Sequence, residues 1–331
     1  DLDKKFGITN ACVQCHSNLS SKDVIKQIKI WYGELKPLNK LELSLLSFLD
    51  GKQSMEDLVK LIGNKSDPPA QVFAGLATAY MSNNANEHNA SLINNLLNLS
   101  TSNDLDIKSV SLAYLDLLSK HENMLSTYII DILSKSGKDQ NKIRSRWSTA
   151  LAYRAQYLSN QKSFSESLKL YKKSLTIWPN NHKARKGLAS TYLLTDDFSN
   201  AVVTYGEIVK INKSDWNGWA GLANAQARNG QLDIALEAYI KSLEINTYNA
   251  SAHLGIGDIF YKKKNYILAE KHLVKAIELD PAILEAYIFL AAVKVKQKDY
   301  KNASLYLNRG LIINPDHEIG NMMKRELTTI E

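Results

Sequence analysis

The sequence has 331 residues, 44% of them hydrophobic, with 15 glycines and 6 prolines; that is enough apolar chain for two or three packed domains and too few breakers for a low-complexity segment. No stretch approaches the 18 or more consecutive apolar residues of a membrane-spanning helix, so no membrane span is expected. The formal net charge of +7 comes from scattered rather than blocked lysines, which argues against nucleic acid and for an acidic protein surface as the matching partner.

In chain order the first feature is Ala11-Cys12-Val13-Gln14-Cys15-His16, which holds both cysteines of the chain. Cys-x-x-Cys-His is the signature of covalent c-type haem attachment. Two intervening residues let both thiols reach the two vinyl groups of one macrocycle, and the adjacent imidazole is held beneath the iron as proximal ligand. Other uses fit less well: a thioredoxin-type pair needs a βαβ context, a closed zinc site needs further ligands, and a plain disulfide leaves His16 without a role. Cys12 and Cys15 are therefore expected to bind one haem c, with His16 on the metal.

A short amphipathic helix follows. Ser20-x-x-Asp23 forms a capping box, Val24, Ile25, Ile28, Trp31 and Tyr32 share a face, and Gly33 stops it. That face either covers one side of the haem or packs on the next helix. Residues 1–37 thus form a haem-binding segment.

Residues 38–147 read as less regular helices. Asp67-Pro68-Pro69 precedes Val72, Leu76 and Tyr80; Asp104 precedes Ile107, Val110, Leu112 and Leu115; Asp139 precedes Ile143, Trp147 and Leu151. An aspartate near a helix start followed by an apolar stripe, at intervals of about 35 residues, resembles HEAT-like repeats. Asn83–Asn89 reads as a loop.

From Ser148 the pattern repeats every 34 residues, in five units beginning at 148, 182, 216, 250 and 284. The eighth position is small (Ala155, Ala189, Ala223, Gly257, Ala291), as is the twentieth (Ser167, Ala201, Ala235, Ala269, Ala303). The seventeenth is bulky, the twenty-fourth includes Tyr171, Tyr205 and Tyr239, and the thirty-second breaks or is polar (Pro179, Lys213, Thr247, Pro281, Pro315). Small residues allow two helices of one repeat to approach closely, and bulky ones fill the space between pairs. The register resembles the tetratricopeptide repeat across 148–317. It departs where Gln226 and Lys294 replace the usual aromatic, and Gly310 is expected to weaken the last second helix. Residues 318–331 form a capping helix with Ile319, Met322, Met323 and Leu327 on one face. The fold class expected is all-α: a short haem-binding segment followed by an α-solenoid.

The haem motif, the helix ending Trp31-Tyr32-Gly33 and the two repeat types together resemble the C-terminal region of bacterial multihaem cytochromes c, although only one haem motif is present here. The resemblance implies export to the periplasm, cell surface or extracellular space, and either a processed or excerpted C-terminal piece or a single-haem relative. It carries over only Cys12, Cys15 and His16, and implies bis-histidine ligation. The in-chain candidates for the distal ligand are His88, in the Asn-rich loop, and His121, at a helix end; a ligand from outside the chain is the alternative. His253 reads as a packing residue, while His182, His272 and His317 read as solvated. Met55, Met81 and Met124 read as core.

By the tetratricopeptide resemblance, the second, fifth, ninth, twelfth and thirteenth repeat positions line a partner groove. Here they include Lys183, Lys186, Asn217, Asn224, Arg228, Asp258, Tyr261, Lys262 and Lys296, a cationic and amide-rich set suited to an acidic protein or peptide. The expected function is electron transfer to a redox partner protein or other haem-bearing chains, docked through the repeats. The alternative is an assembly scaffold, homo-oligomer or filament subunit fixed by haem. A reductase or peroxidase fits less well, since no distal catalytic constellation is legible.

Overall fold

The computed structural model describes residues 44, 69–82, 90–119 and 123–328. The described residues form fifteen α-helices and no strand: α1 Pro69–Ser82, α2 Ala90–Ser100, α3 Leu105–Leu118, α4 Asn123–Lys135, α5 Gln140–Asn160, α6 Phe164–Ile177, α7 His182–Leu194, α8 Phe198–Ile211, α9 Trp216–Arg228, α10 Leu232–Ile245, α11 Ala250–Lys262, α12 Tyr266–Leu279, α13 Leu284–Lys296, α14 Tyr300–Ile313 and α15 Glu318–Thr328. The all-α expectation holds. The haem-binding segment 1–37, its amphipathic helix and the loop Asn83–Asn89 lie outside the described residues. The chain divides into two compact units, Asp1–Tyr157 with Lys173–Pro179, and Leu158–Lys172 with Asn180–Glu331.

In the first unit α3 is central. Ile107, Val110, Leu112, Ala113, Tyr114, Leu115, Leu117 and Leu118 are all buried, so the helix is apolar on nearly every side, as a helix enclosed by others must be. Asp104 starts it: the carboxylate accepts from the N–H groups of Asp106 (2.8 Å) and Ile107 (3.0 Å), satisfying two of the unpaired first-turn donors. Asp116, on the same helix, is buried and is neutralised by Lys173 at 2.6 Å. The Arg154 guanidinium donates to the carbonyl of Tyr80 and lies 5.3 Å over its ring, while Tyr80 meets Tyr114 edge-on at 5.8 Å. The expected divide at 147/148 falls within one continuous helix, α5. No breaker separates Gln140 from Ser148, and Ile143, Trp147 and Leu151 continue a single buried stripe at i, i+4, i+8. Asp139 ends a 3₁₀ turn, Gly137–Asp139, ahead of that helix and pairs with Lys142 at 3.0 Å.

The second unit is built of helix pairs. First helices start at 182, 216, 250 and 284, and second helices at 164, 198, 232, 266 and 300, so the 34-residue period sets the helix starts as well as the small positions. Ala189, Ala223, Ala291, Ala201, Ala235, Ala269, Ala303 and Ser167 are each fully buried. The thirty-fourth position caps three first helices, because Asn181, Asp215 and Asn249 accept from the N–H groups of Ala184, Gly218 and Ala252 at 3.0–3.2 Å.

Each first helix ends the same way. The fifteenth residue is left-handed in all five repeats: Lys162, Asp196, Gly230, Lys264 and Lys298, with φ between 56° and 81°. The N–H of the sixteenth residue then reaches the carbonyl of the eleventh at 2.9 Å in every repeat, the six-to-one bond that closes a helix C-terminus.

Two expectations, for α15 and Met124, change. Gly310 lies within α14, which runs through to Ile313. Its bare backbone admits Tyr287 and Leu284 of α13, whose atoms would stand 3.1 and 3.3 Å from an added Cβ. In α15 the buried residues are Gly320 and Leu327, with Met323 packed beside them, whereas Ile319 and Met322 are 56% and 48% exposed. The helix is turned so that its smallest residue meets Leu311. Met124 is 83% exposed in the first turn of α4, so it is not core.

Candidate functional site

Cys12, Cys15 and His16, the distal-ligand candidates His88 and His121, and Met55 lie outside the described residues; Met81 lies in α1. The described part of the candidate site is the set of cations on the first helices of the second unit.

The structure supplies these cations with in-chain acids. Lys186 of α7 reaches Asp215, the cap of α9, at 2.7 Å. Arg228, at the end of α9, pairs with Asp196 at 2.8 Å and stacks over the Phe198 ring at 4.7 Å. Lys262 pairs with Asp258 one turn earlier in α11 at 2.7 Å. Lys183 is half-buried and Asn224 exposed. The cationic stripe is therefore largely compensated by acids, two of which sit in the turns between helices, outside the register of the groove positions.

Around Lys186 the chain forms a concave site of about 260 Å³. His182 and Lys186 come from α7, Ile208 and Ile211 from α8, and Asn212 and Asp215 from the following turn. Ile211 is 51% exposed. The site thus offers an ion pair next to an accessible aliphatic surface. His182 and Ile211 were not among the expected groove residues; the signal for Ile211 is the thirtieth position, apolar in every repeat (Ile177, Ile211, Ile245, Leu279, Ile313).

Two histidines expected to be solvated are engaged. His317 caps α15, its Nδ1 accepting from the Gly320 N–H at 3.0 Å. His272 is half-buried, with its Nδ1 3.1 Å from Nδ1 of His253, and its ring lies 5.9 Å from Phe260. Burial first, then the neighbouring His253 ring and Lys271, push the His272 pKa down to about 4; burial and Lys275 lower that of His253. His182 is exposed, as expected.

At the two replaced aromatic positions, Lys294 is half-buried and Gln226 buried. Lys294 donates to Glu270 at 2.6 Å and stands 3.8 Å from Asp299. Gln226 is 9% exposed, and its Oε1 has no hydrogen-bond partner among the described residues.

Residues 221–282 match the family model of the tetratricopeptide repeat. The chain is similar to a thermophilic tetratricopeptide protein of Thermus thermophilus, at 18% identity and a TM-score of 0.49, over 55% of this chain and 99% of that one. It is similar to YrrB, a tetratricopeptide protein with an unusual peptide-binding site, at 18% identity and a TM-score of 0.41, over 53% and 91% of the two chains. MamA from Desulfovibrio magneticus is a third similar structure, at 15% identity and a TM-score of 0.44, over 52% and 97%. No protein of curated function matches the sequence.

Proposed function

We propose that this chain is a c-type cytochrome whose helical-repeat scaffold docks it to partner proteins. The observation that carries the haem is the placement of both cysteines in Cys12-x-x-Cys15-His16. Two thiols two residues apart and an imidazole next in the chain are the donor set that covalent haem requires. Cys12 and Cys15 form the thioethers and His16 the proximal bond. When bound, the haem supplies a one-electron couple. An exported location follows from that attachment chemistry, and a six-coordinate low-spin iron follows from a carrier role, with the distal ligand from His88, His121, residues upstream of Asp1 or another chain.

The repeats support the docking half of the reading. Stacked helix pairs present a long surface to another protein, and here that surface carries Lys183, Lys186, Asn224, Arg228 and Lys262, matched to an acidic partner or to other haem-bearing chains. The regularity of five equal repeats also favours a second reading, an assembly scaffold or filament subunit in which haem fixes the N-terminal fold. Oligomer size and haem-to-haem spacing distinguish the two.

The test is intact mass of the full chain after denaturation. The expected result is a mass one haem above the polypeptide, with no haem released. A mass equal to the bare chain overturns the cytochrome reading. Replacement of His88 and His121 singly then reveals an in-chain distal ligand by a change in the iron spectrum; unchanged spectra in both place that ligand outside the chain.

A further inference from the structure

The pair His253 and His272 lies apart from the candidate docking cations, on the facing helices α11 and α12. The two Nδ1 atoms are 3.1 Å apart, the ring centroids 5.2 Å apart and the ring planes tilted by 34°. Both rings border an open cavity of about 650 Å³.

We propose that His253 and His272 form a two-imidazole chelate for a late divalent transition-metal ion, with water filling the remaining positions. The warrant is the bite. Nitrogens about 2.0–2.1 Å from a shared ion, in cis-planar or tetrahedral arrangement, stand about 2.9–3.4 Å apart. The observed 3.1 Å falls inside that range. Imidazole suits copper, nickel and zinc among the divalent ions, and copper(II) binds such sites most tightly.

Without an ion, one Nδ1–H donates to the other Nδ1. With an ion, that ring shifts its hydrogen to Nε2, both Nδ1 lone pairs face the metal, and no net proton is released.

The cavity also carries Lys271 and Lys275, cations that a bound metal ion has to tolerate. Among the described residues no third His, Cys, Asp or Glu completes a three-ligand group. Glu270 is held by Lys294 and Gln297, and Glu278 by Lys275 at 3.0 Å. The outer coordination positions consequently face the open cavity, where an exogenous ligand can reach the ion.

The experiment uses the full chain and copper(II) alone, read by electron paramagnetic resonance and by equilibrium dialysis at neutral pH. The wild type is expected to bind one equivalent with a two-nitrogen equatorial signature that His253→Phe and His272→Gln each abolish. Each single variant should lose about tenfold or more in affinity for that equivalent, since even changes behind a ligand cost 10–100-fold. Circular dichroism of each variant establishes that the helices are intact, and the wild-type spectrum stands as a test needing no substitution. Absence of a two-nitrogen signal in the wild type, or affinity and spectrum unchanged in both folded variants, overturns the proposal and leaves the pair as a histidine–histidine hydrogen bond.

Discussion

Replacing Gly255 by alanine tests the packing between neighbouring repeats. Gly255 is in the middle of α11, where a Cβ would fall within the Cζ and Oη atoms of Tyr239 on α10. Tyr239 is 5% exposed and packed among Ala223, Ala235, Ala252, Ile256 and Ile259, so the ring has little room to retreat. Overpacking a full core costs about 1–3 kcal/mol. Against this, alanine in place of an interior helical glycine gains about 0.8–1.0 kcal/mol in propensity. The net expectation is a loss of about 0–2 kcal/mol, the overpacking cost less the propensity gain. Gly206→Ala in α8 is the control, because an added Cβ there meets nothing within 4 Å, and only the propensity gain of about 0.8–1.0 kcal/mol remains. Urea unfolding followed by far-ultraviolet circular dichroism gives both midpoints, with unchanged slopes required for the comparison. Tyr239→Leu removes the obstacle, so adding Gly255→Ala to it should cost less than in the wild type, which a double-mutant cycle measures. If Gly255→Ala stabilises as much as Gly206→Ala, the close approach of α10 and α11 is wrong.

Asp104→Ala should destabilise by about 0.5–2 kcal/mol through loss of the α3 cap, read as a lower urea midpoint. Lys264→Gly should stabilise by about 0–1.5 kcal/mol, since it removes a left-handed side-chain clash worth about 1–2 kcal/mol at an entropic cost of about 0.5–1 kcal/mol; a lower midpoint would contradict the turn geometry. The Asn302 side chain above all, with its backbone N–H and Lys294, holds Asp299 below the usual carboxylate range. That contribution is present above the unfolded value of 3.8 and lost as pH falls through the folded pKa, so the midpoint difference between wild type and Asp299→Ala should narrow in acid. Joint reversal of Lys183, Lys186 and Arg228 to glutamate should weaken docking to an acidic partner and flatten its salt dependence while leaving the haem spectrum alone; intact docking would move the interface off these residues.

The helix pairs were legible because a 34-residue period and the small eighth and twentieth positions follow from local geometry. The repeat-to-repeat fit was written there too, but as a pair of positions rather than a composition. Gly187, Gly221 and Gly255 each follow a tyrosine by sixteen residues, Tyr171, Tyr205 and Tyr239 in turn, and an added Cβ at each would overlap that ring. In the next repeat Leu273 replaces the tyrosine and Phe289 the glycine, and both join one cluster. The larger partner has changed sides while the filled volume is kept. Position fifteen carried no such mark: glycine is the usual sign of a left-handed helix end, and only Gly230 shows it. There the six-to-one hydrogen bond holds a lysine or aspartate in a conformation its own side chain disfavours. The pairing of His253 with His272 was missed because residues nineteen apart meet only once two helices are folded against each other.

The docking cations failed as a simple charge count for a related reason. Helical register places Lys186, Arg228 and Lys262 by face, but says nothing of where the acids of the turns arrive. Asp215 and Asp196 belong to those turns, and folding brings them within 2.7–2.8 Å of the cations. An acidic partner must therefore exchange ion pairs rather than fill vacant ones. The exposed Arg228–Asp196 pair is worth only about 0–1 kcal/mol, so its exchange is cheap and its electrostatic gain equally small, whereas Asp215 is largely buried and also caps α9. Charge on this surface then serves orientation and salt sensitivity. Affinity has to come from apolar contacts beside it, and the exposed Ile211 next to the Lys186–Asp215 pair is where such a contact is available.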